Sequence, residues 1–242
     1  MLFAHLRRGL IAGSIGGVVY GLFVATVVVN LVEVAESFES GGHEAAVSAT
    51  TTIVISVGGG VLWGLFLGII TFGVVYYLFE PAIPGRTTTR SYLLGAAGFI
   101  TVSGAPWLVL PPLPPGVEQA LANDVRLLWY AVMLVGGAAA CGAAAYLYGR
   151  FVDQSGKAFA VTIAGLPFLL LVGASLLAPA NPTSGELPAG IRSAFRWTVV
   201  FGQMTLWFVL ASVHAWSGDW RDDPSVDEPE TAVSDRSKTL EG

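Results

Sequence analysis

Six uninterrupted apolar stretches govern what this chain can fold into: 9–32, 51–79, 91–113, 127–149, 158–178 and 197–216. At about 1.5 Å of rise per helical residue, each can cross a hydrocarbon core roughly 30 Å thick. Inside lipid the backbone must satisfy its own N–H and C=O groups, so runs of this length read as transmembrane helices. Charge is scarce to match. Only 12% of residues are Asp, Glu, Lys or Arg, about half the share usual in a soluble domain. The expected fold is an all-α integral membrane protein, a bundle of about six transmembrane helices over 1–216.

The remainder, 217–242, is an acidic tail with eight acids, three bases and few apolar residues. It cannot bury enough surface to fold and is expected to be disordered. Residues 1–216 carry nine acids and nine bases, so the net charge of −5 belongs to the tail. Arg7 and Arg8 ahead of an apolar run resemble a secretory leader, but the uncharged run 9–32 is longer than a leader's apolar core. It reads as a retained first span.

Several function classes are disfavoured. No basic stripe is present to bind nucleic acid. A single cysteine, Cys141, allows neither an intrachain disulfide nor a thiolate cluster, and it reads as a small core residue. The chain lacks a G-x-x-x-x-G-K-[ST] nucleotide loop, an H-E-x-x-H helix and a G-x-S-x-G elbow. An enzyme is therefore not expected, and an intramembrane enzyme ranks last among the readings. Driving energy would have to come from an ion gradient or another polypeptide.

Lys and Arg set the expected topology. Arg7, Arg8, Arg86, Arg90, Arg150, Lys157 and Arg221 gather on one side, against Arg126, Arg192 and Arg196 on the other. Both termini are thus expected in the cytoplasm of a plasma-membrane protein, with loops 33–50, 114–126 and 179–196 outside. His5 and His214 fall at the cytoplasmic ends of the first and last spans and read as interfacial residues. Pro106 and Pro167 are expected to kink the third and fifth spans.

Glycine is ordered in the first two spans: Gly9, Gly13, Gly17 and Gly21 form one ladder, and Gly60, Gly64 and Gly68 another. Small residues at this spacing let helix backbones approach, either on each other or on a partner helix, and a homo-oligomer is compatible with them. A weaker echo relates 110–118 to 178–186. Each is a proline-rich segment ending in Glu118 or Glu186, followed by Arg126 or by Arg192 and Arg196. These arginines either sit at the interface or pair with Glu118, Asp124 and Glu186 to brace the outer loops.

The chemistry-bearing residues concentrate in the first outer loop. Glu33, Glu36, Glu39, His43 and Glu44 occur there without a single base. Carboxylates with an imidazole are a donor set that divalent first-row cations accept. No Asp, Glu, Lys, Arg or His lies near the middle of any span. Deep polar candidates reduce to Gln203, Thr71, Ser56, Thr162 and Asn30.

Several motifs together resemble the CbtA family of cobalt transporter subunits. They are Arg7-Arg8-Gly9-Leu10, the Glu-rich loop ending in His43-Glu44, the run Pro111-Pro112-Leu113-Pro114-Pro115, Leu187 to Arg192 with Phe195-Arg196, and Gln203 to Trp207. The resemblance runs over most of 1–216 and departs in its single loop histidine and its acidic tail. It implies cobalt uptake linked to cobalamin synthesis, alongside a small single-span companion subunit bearing histidines. No permanently bound cofactor is expected; the cation, Co²⁺ by this resemblance, is cargo. His43 with Glu39 and Glu44 is then the expected first capture point, helped by Glu36 and Glu33. The alternative is a nontransporting membrane scaffold that packs a partner helix through its glycine ladders.

Overall fold

Hydrophobic runs bounded by prolines, glycines and charges fold into six helices in the computed structural model, which describes residues 2–38, 49–185 and 187–219. We number them α1 (Leu2–Glu36), α2 (Thr50–Ala82), α3 (87–107), α4 (Asn123–Ser155), α5 (Lys157–Ser175) and α6 (Ala189–Asp219). Five of them are long and apolar enough to cross a membrane; α3 is the more polar exception. It packs against α6 on one side and α4 on the other, so it has less lipid-facing surface to keep apolar.

The neighbour relations run α2, α1, α6, α3, α4, α5, so the last helix is inserted between the first and the third. Two cores result. One joins α1, α2, α3 and α6 through Ala12, Leu67, Phe72, Tyr76, Leu94, Leu206, Trp207 and Leu210. The other joins α3, α4 and α5 through Ala105, Val109, Met133, Ala140 and Leu171.

The glycine ladders of α1 and α2 face each other. A Cβ on Gly13 would lie 2.5 Å from the Gly64 carbonyl oxygen, and one on Gly17 would lie 2.6 Å from that of Gly60. Gly9 meets Gly68 in the same way, and Gly21 meets Val57. Backbone therefore rests on backbone along this hairpin, and no other residue type fits the contact.

Three helices contain a widened π-type segment: Val24–Val28 in α1, Gly68–Val75 in α2 and Ile100–Gly104 in α3. The last precedes Pro106, which has no N–H to offer the carbonyl four residues back. The Tyr130 hydroxyl of α4 takes that place, donating to the Val102 carbonyl at 3.1 Å. α3 ends at Trp107 rather than continuing to 113, because Pro111, Pro112, Pro114 and Pro115 cannot propagate a helix. α4 and α5 are separated by Gly156 alone, whose φ of +81° belongs to the left-handed region that glycine tolerates.

Beyond the far ends of α3 and α5, the two echoing segments meet. Glu118–Gln119 (β1) and Thr183–Ser184 (β2) form an antiparallel pair, with Glu118 opposite Ser184 and Gln119 opposite Thr183. Asn181 completes the join by accepting from the Leu121 N–H at 3.2 Å and donating to Gln119 Oε1 at 2.9 Å.

Candidate functional site

Two regions carry polar chemistry, one at each end of the bundle. At the end opposite the termini, α1 runs on to Glu36, so Glu33 and Glu36 lie one turn apart, both exposed, on its last turns. A helix C-terminus is the negative pole of its dipole, and two carboxylates there deepen a potential that favours cations. His43, Glu39 and Glu44 lie outside the described residues, between the end of α1 and the start of α2, as does Glu186 further on. Among the described residues no ion pair joins Arg126, Arg192 or Arg196 to Glu118 or Asp124. The β1–β2 backbone pairing and Asn181 link these loops instead. The groove beside them, lined by Glu118, Gln119 and Thr183, is shallow and open.

At the end bearing the termini, α1, α2, α3 and α6 converge on a polar junction. His214 of α6 is fully buried, not interfacial as its position near a span end suggests. The last turns of α6 sit inside a ring of three other helices, which keeps lipid and water away. Its imidazole stacks edge-on to Tyr76, with ring centroids 4.6 Å apart, and lies 5.1 Å from Phe72. Its Nδ1 is 2.9 Å from Ser91 Oγ, and that hydroxyl also reaches the Thr87 carbonyl at 3.0 Å.

Charges surround this buried group. Arg8 Nη2 donates to the His214 carbonyl at 2.9 Å and Ser217 donates to the same oxygen at 3.0 Å. The Arg8 guanidinium also stands 5.9 Å from the Tyr76 ring centre. Glu80, at the end of α2, bridges two helices: His5 Nε2 of α1 at 3.8 Å and Arg90 Nη1 of α3 at 3.5 Å.

Sequence reading missed this junction. Each member sits near a span end and reads alone as a snorkelling or capping residue. Only the insertion of α6 between α1 and α3 brings Arg8 and Ser91 to His214. Alternating topology does put His5, Glu80, Arg90 and His214 at one end, and that was the signal available.

Of the deep polar candidates, Gln203 donates to the Tyr20 hydroxyl at 2.9 Å, tying α6 to α1 in mid-bundle. Thr71 is buried within the widened segment of α2. Thr162 and Asn30 turn back onto their own helices. Among the described residues no group of three or more His, Cys, Asp or Glu could hold a metal ion.

Six helices, five of them long and apolar enough to cross a membrane, and two polar ends define a multi-pass helical membrane protein. The family described as "Probable cobalt transporter subunit (CbtA)" matches residues 4–218, which takes in all six helices. The chain belongs to the CbtA family. No curated protein and no solved structure matches it.

Proposed function

We propose that this chain is the membrane subunit of a transporter that takes up a divalent cation, with Co²⁺ as cargo. The observation that carries the reading is the family match across the whole helical bundle. In this reading the protein sits in the plasma membrane with both termini in the cytoplasm, as the Lys and Arg distribution favours. The loop between α1 and α2 then faces outward. His43, Glu39 and Glu44 capture the cation there, with Glu36 and Glu33 extending the negative field along the end of α1. A small single-span companion subunit bearing histidines works beside it.

The scaffold alternative loses its footing, since the glycine faces it would use are turned to each other within the hairpin. The test is radioactive cobalt uptake in cells without their own importers, with and without neighbouring small membrane subunits. Uptake that requires the protein and drops in His43→Ala supports capture at this loop. Uptake indifferent to His43→Ala moves the capture point elsewhere, and no uptake in any pairing, with the protein present in the membrane, ends the transporter reading.

A further inference from the structure

We infer that the exposed arginines around the end of α6, Arg7 and Arg86, form a docking surface for an acidic segment of this same chain, 222–230. The charge of the surface, the place where the segment leaves the bundle and the segment's own charge each support it.

The end of the bundle that bears the termini is basic. It carries Arg7, Arg8, Arg86, Arg90, Arg150 and Lys157 against Glu80, Asp153 and Asp219. Glu80 is already shared between His5 and Arg90. Arg7 and Arg86 are exposed, and among the described residues neither forms an ion pair. A surface with an excess of one charge attracts a segment of the opposite sign.

The chain leaves the bundle at this surface. α6 ends at Asp219, and its neighbours are α1 and α3. Arg8 Nη2 of α1 donates to the His214 carbonyl at 2.9 Å. A Cβ on Gly218 would lie 3.0 Å from Thr87 Cγ2 of α3. Arg7 directly precedes Arg8 in the chain, and Arg86 directly precedes Thr87. Asp222 comes three residues after Asp219, an extended reach of about 10 Å. Tether length is therefore no obstacle to pairing.

The segment has the complementary charge. Within 222–230 stand Asp222, Asp223, Asp227, Glu228 and Glu230, with no base among them. A single exposed ion pair is weak. Five carboxylates held beside the arginines by a short tether act at an effective concentration in about the millimolar range. The rival occupant, an anionic lipid headgroup, carries the same sign of charge but lacks that tether.

The experiment substitutes Arg7→Lys and Arg86→Lys, one at a time, in the full-length protein. A zero-length carbodiimide then joins amines to the carboxylates they touch, in bilayers of phosphatidylcholine alone and with added phosphatidylglycerol. Peptide mass spectrometry reads the crosslinks. Lys157 is the internal reference, because α3 and α4 stand between α5 and α6. Crosslinks from position 7 or 86 to 222–230 should exceed those from Lys157 about tenfold in both bilayers. They should be lost in 1 M salt, where charges are screened beyond about 3 Å. Crosslinking no greater than at Lys157 overturns the docking. Crosslinks that vanish when phosphatidylglycerol is added assign the surface to lipid headgroups and overturn it too.

A second measurement leaves the bundle unaltered. It compares the parent with the tail variant Asp222→Asn, Asp223→Asn, Asp227→Asn, Glu228→Gln, Glu230→Gln. Phenylglyoxal should modify Arg7 and Arg86 about threefold more slowly in the parent than in the variant, with Arg150 modified equally in both. Equal rates at Arg7 and Arg86 overturn the docking even where the lysine variants fail to accumulate.

Discussion

Ser91 and His214, 123 positions apart in the chain, meet through a 2.9 Å contact between the serine Oγ and the imidazole Nδ1. The same hydroxyl lies 3.0 Å from the Thr87 carbonyl, which can only accept. With its hydrogen directed there, Ser91 accepts from His214 Nδ1–H, which assigns the tautomer. One serine thus holds a fully buried ring against a second helix.

Removing that hydroxyl leaves a buried N–H unpaired. Ser91→Ala should cost on the order of 1–2 kcal/mol, read as a lower unfolding midpoint of the purified protein in detergent. A midpoint equal to that of the parent would show that His214 finds another partner.

The glycine hairpin makes a sharper contrast. Gly13→Ala and Gly17→Ala put a methyl group about where the opposing backbone already stands, 2.5–2.6 Å from a carbonyl oxygen. Overpacking of this kind should destabilise by about 1–3 kcal/mol. Gly58 and Gly59, on the same helix as Gly60, have nothing within 4 Å of an added Cβ. Gly59→Ala should therefore be neutral or stabilising by up to about 1 kcal/mol, since alanine is the better helix former. Thermal unfolding of the three variants side by side checks the ranking.

Tyr130 and Pro106 should be coupled. Tyr130→Phe alone strips the Val102 carbonyl of its donor and should cost about 0.5–1.5 kcal/mol. Pro106→Ala restores a backbone N–H for that carbonyl, so Tyr130→Phe should cost much less in its presence. A double-mutant cycle on unfolding midpoints measures the difference, and simple additivity would dismiss the exchange of donors.

Asn181 links the two loops at the far end through both halves of its amide. Asn181→Ala should open the β1–β2 pair without loosening the helices. Amide hydrogen exchange should quicken at 119–121 while protection along α4 stays unchanged. Equal acceleration in both places would mean that these loops are part of the bundle's global stability.

How much of this was written in the chain divides along physical lines. Spans of apolar residues must become helices in lipid whatever their neighbours, so the membrane class, the run of helices and their alternating direction were legible from residues such as Gly9 to Val32. Proline acts through its own backbone, yet the end of α3 at Trp107 rather than 113 escaped a reading based on apolarity. The repeated spacing of Gly13, Gly17, Gly60 and Gly64 told that backbones would approach something, without telling what. Which helix lies beside which is a matter of side-chain fit over long sequence separations, and no local pattern encodes it. Inserting α6 between α1 and α3 is such a decision. It took Arg8, Ser91 and His214 from three separate span ends and made them one junction around a buried imidazole.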